Sequence, residues 1–192
     1  MPIYGGGGSP AAISALAPVV DVYMLWGEPL KATAAFMVEV RAVARPTMHR
    51  LTFSLSTRPI LGRTEGEAWE RARRILATIT ARQQGTVPTP QNAGSQRLLA
   101  AAAENEVHDS CLWMALAMAT GARGNSTALV GTPETVAEAL VAYYGLGATS
   151  LLIRGYDPLA DAVAYGRELI PRVRALVAER DAARRDNAAL PV

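Results

Sequence analysis

The sequence predicts an α/β fold of parallel strands joined by helices, and three observations carry that reading. Short apolar runs, of the kind found in strands buried on both faces, alternate with longer segments of helical period. The breaks between them hold Gly, Pro, or a Ser or Thr suited to starting a helix. The resulting order is β-α-β-α-β, a helical insertion, then α-β-α. Alternation of this kind implies parallel strands with right-handed crossovers. Pattern alone does not choose between a small doubly wound sheet and part of a barrel.

Pro2-Ile3-Tyr4 is a short apolar start that ends in Gly5 to Gly8. Ser9 suits an N-cap and Pro10 the first turn of an Ala-rich helix to about Ala17. Val19 to Trp26 is a continuous apolar run with one acid, as in a buried strand. Gly27-Glu28-Pro29 breaks it, and a helix follows to about Ala44. Leu51 to Leu61 reads as the third strand, in which Pro59 implies an end or an edge. Thr64-Glu65-Gly66-Glu67 resembles a capping box, opening a helix to about Gln83.

Residues 84–93 read as a loop, and 95–104 and 108–119 as two more helices. Gly121 to Ser126 reads as a flexible stretch. Thr132-Pro133-Glu134 caps a helix to about Tyr144, and Thr149 to Arg154 is the fourth strand. Gly155-Tyr156-Asp157-Pro158 then leads into a terminal helix. The predicted organisation is one domain over 1–180, with its helical insertion at about 64–120, and a frayed tail over 181–192.

A chain of 192 residues, half of them hydrophobic, suits one domain with a sizeable core. A net charge of +2 gives no field that would favour nucleic acid. Lys31 is the only lysine, so the basicity is arginine. Arg172, Arg174, Arg180, Arg184 and Arg185 interleave with Glu179, Asp181 and Asp186, as on a solvated helix face. Cys111 stands alone, which excludes an internal disulfide and fits the cytoplasm; its apolar surroundings point to a core thiol. No apolar run is long enough to cross a membrane, and the N-terminus lacks the pattern of a signal peptide. His49 and His108 lie far apart, so no metal site is expected.

Four places carry candidate chemistry. Gly5 to Ser9 lies between a strand and a helix, where glycines admit a phosphate and the helix end attracts it. The same residues also suit a plain turn. Trp26 would either fill the core or stack on a cofactor ring, and Glu28 is either a base or a solvated carboxylate. Arg58 and Arg154 fall at the C-terminal ends of strands, the functional rim of parallel α/β proteins. Two guanidiniums there would hold an anionic substrate, or each would pair with a local carboxylate such as Asp157.

Five segments together resemble one family. They are Pro2-Ile3-Tyr4 with the glycines and Ser9-Pro10-Ala11-Ala12; Tyr23-Met24-Leu25-Trp26-Gly27-Glu28-Pro29; Arg58-Pro59-Ile60-Leu61 with Thr64-Glu65 and Ala68-Trp69; Thr120 through Pro133; and Leu152-Ile153-Arg154-Gly155-Tyr156-Asp157-Pro158-Leu159. In order and spacing they resemble the bacterial-luciferase-like flavin-dependent monooxygenases, nearest the alkanesulfonate monooxygenase type. That family's fold is a (β/α)8 barrel, which normally runs to about 250 residues. The resemblance therefore implies a C-terminal half, strands five to eight.

The resemblance implies a two-component enzyme. Its cofactor would be reduced FMN from a partner flavin reductase, with O2 as co-substrate. Its substrate would be an alkanesulfonate or a related small organosulfur compound. Gly7, Gly8 and Ser9 would match the loop that holds the FMN phosphate, and Trp26 would lie near flavin and substrate. Arg123 would lie in a mobile loop over the site, and Tyr156 beside substrate and flavin as the catalytic pair to it. Arg58 and Arg154 would bind the substrate anion. The alkanesulfonate enzymes place an Arg and a His where this chain has Ser56 and Arg58, which departs from the sulfonate pattern.

A four-stranded half-barrel exposes two sheet edges, so a homo-oligomer or a complementing N-terminal half is expected rather than a monomer. The alternative readings are a catalytically incomplete fragment, and a deazaflavin-dependent oxidoreductase of the same family.

Overall fold

The computed structural model describes residues 1–45, 50–83, 87, 89–123 and 127–189, the last three of these as backbone alone. His49 and residues 124–126 of the expected mobile loop lie outside the described residues.

The N-terminal strand β1 (Tyr4–Gly5) leads through the glycines into α1 (Pro10–Leu16), where the Ser9 hydroxyl accepts from the amide of Ala12 at 3.2 Å. Strand β2 (Val22–Trp26) and helix α2 (Leu30–Ala44) follow. Next come β3 (Thr52–Leu61) and α3 (Glu65–Arg82). Thr64 caps α3 by accepting from the Glu67 amide. Glu67 does not complete the box. Its carboxylate turns instead to the backbone and guanidinium of Arg63, at 3.1 and 2.7 Å.

The insertion contains α4 (Ala93–Glu104), the strands β4 (Val107–His108) and β5 (Leu112–Trp113), and α5 (Ala115–Thr120). Strand β6 (Ala128–Gly131), α6 (Pro133–Leu146) and β7 (Ala148–Ile153) complete the sheet region. The chain ends in α7 (Pro158–Ala164), a π-helical turn at Tyr165–Leu169, and α8 (Ile170–Ala189).

Strands β2 and β7 pair in parallel with the same stretch of β3, so they flank it on opposite sides. With β1 parallel to β2, four parallel strands stand in the order β1-β2-β3-β7, which is also chain order. This is the curled half-barrel arrangement. Tyr23, Leu25, Phe53 and Leu55 point to one face, where Met37 and Val40 of α2 and Leu140 and Tyr143 of α6 bury them in one core. Tyr4, Met24 and Leu152 are 49%, 39% and 44% exposed. Tyr4 is level with Val22, Met24 with Ser54, and Leu152 with Ser56, so all three belong to the opposite, concave face.

The structure departs from the expectations in three places. Residues 108–119 are not one helix. An antiparallel hairpin of β4 and β5 precedes the short α5. Cys111 to Met114 are buried on every side, which removes any helical period. Leu112 and Trp113 find a partner in Leu129 and Ala128. His108, expected at a helix start, is in that hairpin with its Nε2 2.8 Å from the Ala101 carbonyl. Residues 128–131 form a strand, β6, parallel to the far half of β3 and absent from the predicted order.

Pro59 stands near the C-terminal end of β3, where one side of the strand is an open edge, as expected of a residue without an amide. The β7 ladder stops at Thr57, and beyond it the Tyr165 hydroxyl donates to the Pro59 carbonyl at 2.5 Å. A side chain thus stands where a strand would need the missing amide. Finally, the segment after residue 180 continues α8 as helix up to Ala189.

Candidate functional site

A cavity of about 630 Å³ opens at the C-terminal ends of β1 and β2. Its size suits a small-molecule site. The glycine loop and Ser9 form one side, Leu25, Trp26 and Phe36 an apolar wall, and the first turn of α4 with Arg97 the other side. The expected Gly7, Gly8, Ser9 and Trp26 are therefore brought together. The Tyr23 hydroxyl donates to the Gly7 carbonyl at 2.8 Å and pins the loop to the sheet. At Gly8 a Cβ would stand 2.8 Å from the Gly94 amide nitrogen, so only glycine lets α4 approach this closely. Trp26 packs its ring edge against Gly94 from the other side.

Glu28 and Arg97 join these elements. Glu28 is 5% exposed, and Arg97 donates to both of its carboxylate oxygens, at 2.6 Å from Nη2 and 3.1 Å from Nε. Arg97 also donates to the Gly8 carbonyl at 3.3 Å and lies 4.0 Å over the Phe36 ring. The Glu28 carbonyl accepts from Tyr143 at 2.6 Å and Thr33 at 3.1 Å. One residue thus ties α2, α4, α6 and the loop. Glu28 is neither a solvated carboxylate nor a free base. It is the buried half of a bidentate ion pair whose arginine is 34% exposed.

The other candidates gather elsewhere. Arg58 donates to the Gly155 carbonyl at 3.4 Å and lies 5.2 Å over the Tyr156 ring. The Tyr156 hydroxyl is pushed up to about 12, chiefly by burial, with Arg58 opposing and Asp161 adding to the rise. Tyr156 packs with Ile60, Trp113 and Leu116 and borders a separate groove along α3. Arg154 is exposed at the end of β7. Arg123 is exposed beyond α5, next to Ala122, whose carbonyl accepts from Ser95 of α4 at 2.6 Å. Neither Arg58, Arg123, Arg154 nor Tyr156 lines the glycine-loop cavity.

Among the described residues, no group of three or more His, Cys, Asp and Glu side chains could hold a metal ion, and no helix is long and apolar enough to cross a membrane.

The family model described as luciferase-like monooxygenase matches residues 1–150. The chain belongs to the luciferase-like monooxygenase family. Solved structures agree in fold. A riboflavin lyase crystallised with modified FMN and riboflavin matches at 17% identity and a TM-score of 0.66, covering 90% of this chain and 42% of that one. An EDTA monooxygenase from Chelativorans sp. BNC1 matches at 17% identity and a TM-score of 0.62, covering 88% and 43%. An F420-dependent secondary alcohol dehydrogenase, in complex with an F420-acetone adduct, matches at 12% identity and a TM-score of 0.56, covering 90% and 49%. This luciferase-like chain thus spans less than half the length of these relatives, and its strands are one half of their barrel.

Sequence reasoning missed Arg97, Arg71 and Asp161. Asp161 is 2% exposed; its carboxylate accepts from Arg71 at 2.5 Å and from the amides of Tyr156 and Asp157 at 2.7 and 2.9 Å. Asp161 sits four residues past Asp157, where a helix-start acid reads as an ordinary capping residue. Arg97 lies 69 residues from Glu28, and no local pattern links the two.

Proposed function

We propose that this chain is the FMN-binding half of a two-component flavin monooxygenase of the luciferase-like family. The cavity of about 630 Å³ between the glycine loop, Trp26 and α4 carries this reading. Its residues suit a phosphate-bearing aromatic cofactor. Ser9 Oγ accepts from the Ala12 amide and keeps a proton to donate to a phosphate oxygen. Trp26 and Phe36 offer apolar surface to a ring system. Because Glu28 matches the charge of Arg97, the wall stays neutral, as suits the uncharged ring of oxidised flavin. When bound, reduced FMN would supply the electrons that activate O2, delivered by a partner flavin reductase.

The residues of the chain would bind, orient and exclude water. Arg58 and Arg154 would hold the anionic group of an alkanesulfonate or a related small organosulfur substrate, and Arg123 would close over it. Tyr156 keeps its proton at neutral pH and so acts as a donor. The cytoplasm, where a reductase is at hand, is the proposed location. The F420-dependent neighbour favours a deazaflavin cofactor as the second reading.

Calorimetric titration of the folded chain with FMN, oxidised and then reduced under anaerobic conditions, tests this. Micromolar, saturable binding is expected, at least tenfold weaker in Ser9→Ala and unchanged in Cys111→Ala. Tighter binding of F420 than of FMN would replace the flavin by a deazaflavin. No binding of either by a folded chain would make it a catalytically incomplete fragment.

A further inference from the structure

We propose that Asp161, oriented by Arg71, is the positioning residue of Tyr156, and that it sets the direction of that side chain through the main chain on either side of it. The inference deepens the flavin reading and rests on it for the role of Tyr156 as a donor beside the substrate.

The first observation is what Asp161 does with each oxygen. Oδ2 accepts from the amide of Tyr156 at 2.7 Å and from the amide of Asp157 at 2.9 Å. Those two amides belong to the peptide units before and after the Tyr156 Cα. Each unit is planar, so anchoring both leaves φ and ψ of Tyr156 little freedom, and with them the direction of its Cα–Cβ bond. Oδ1 is taken by Arg71, whose Nη2 donates at 2.5 Å and keeps the carboxylate from turning. The Asp161 side chain is 3% exposed, so little water competes for either oxygen.

The second observation is that β3 holds one peptide unit of this turn at both ends. The Gly155 carbonyl and the Tyr156 N–H are the two polar groups of that unit. Arg58 of β3 donates to the carbonyl at 3.4 Å. Asp161 takes the N–H, and Arg71 links Asp161 back to β3, because its Nη1 donates to the Leu61 carbonyl at 3.5 Å. The Tyr156 ring is thereby held under the Arg58 guanidinium, 5.2 Å from it. A Cβ on Gly155 would overlap Asp161, so glycine at this position is a condition of the grip.

The third observation is that a helix cap does not account for Asp161. Asp157 already caps α7, its Oδ1 accepting from the Ala160 amide at 3.1 Å. An acid that only favours the helix dipole would stand in water, whereas Asp161 is buried, and its cation lies 90 residues away in the sequence.

NMR of the full chain with labelled arginine reads the placement of Tyr156 in the absence of flavin. The ring current of Tyr156 moves the Arg58 side-chain protons above it upfield, and Tyr156→Leu sets the zero of that shift. Asp161→Asn keeps an oxygen for the two amides and should keep most of the shift. Asp161→Ala has no acceptor and should lose at least half of it. Arg71→Met, which keeps the apolar stem and removes both hydrogen bonds, should lose at least half as well. A folded Asp161→Ala chain with the full shift overturns the proposal. So does an Asn variant as low as the Ala variant, because the amide acceptor would then not be what matters. If Asp161→Ala does not fold, Arg71→Met decides in the same way. FMN calorimetry separates positioning from general loss of structure. Neither Asp161 nor Tyr156 lines the glycine-loop cavity, so Asp161→Ala should bind FMN within twofold of the unmutated chain. A tenfold loss would make Asp161 a general support of the fold and overturn the proposal. If the unmutated chain binds no FMN, the flavin reading fails, and the Arg58 shift alone decides the positioning.

Discussion

At the scale of single residues, the Glu28–Arg97 pair decides how the loop is held. Removing Arg97 leaves a carboxylate that is 5% exposed without its cation. Arg97 is a third exposed and lines the cavity, so water partly replaces it and the loss falls below that of a fully buried pair, to about 1–3 kcal/mol. Arg97→Ala should therefore destabilise more than the double variant with Glu28→Gln, and Arg97→Lys should recover only part of the loss, since lysine cannot match both oxygens. Urea midpoints of the four proteins measure the order; equal losses in the single and double variants would contradict it. Cys111 gives a pH prediction. Burial pushes its thiol from 9.0 up to about 11, so the folded state holds the proton more tightly than the unfolded state. The contribution to stability is complete below pH 9 and is lost as pH rises from 9 to about 11. Stability measured across that window should fall less steeply in Cys111→Ala, and the native thiol should resist alkylation at pH 8.

At the scale of elements, local chemistry was legible in the sequence and long-range chemistry was not. The Ser9, Thr64 and Thr132 caps, the strands around Val22 and Thr52, and the glycine loop beside Trp26 all follow from residues a few positions apart. The β4–β5 hairpin and β6 were misread, because their strands are two to four residues long and take their pairing from one another. Arg97 escaped for the same reason. Its role exists only because α4 folds back over a loop 89 residues earlier. The turn after β7 shows how closely such packing binds a sequence. A Cβ on Gly155 would lie 2.3 Å from both Cβ and Oδ2 of Asp161, whose carboxylate is fixed by Arg71 and two amides. Gly155→Ala should cost about 2 kcal/mol, by forcing apart groups that have no room to relax. Gly166 lies in the π-helical turn, and a Cβ added there would meet nothing within 4 Å, so Gly166→Ala should be neutral or stabilising by about 0.5–1 kcal/mol. Thermal melts of the two variants check the contrast, and a larger loss at Gly166 would contradict it.

At the scale of the whole molecule, α2 and α6 cover one face of the curled sheet. The core of Tyr23, Leu25, Phe53 and Leu55 against α2 and α6 is complete within one chain, so β2 and β3 hold their hydrogen bonds whatever the chain meets. The outer strands differ, because among the described residues β1 pairs with β2 alone and β7 with β3 alone. Amide exchange separates the two groups. In a lone protomer the outward amides of β1 and β7 face water and exchange through local opening, whereas β2 and β3 exchange only through opening of larger units. Exchange along Tyr4–Gly5 and Ala148–Ile153 should therefore run tenfold or more faster than along Val22–Trp26. Equal exchange along all of these strands would contradict the contrast.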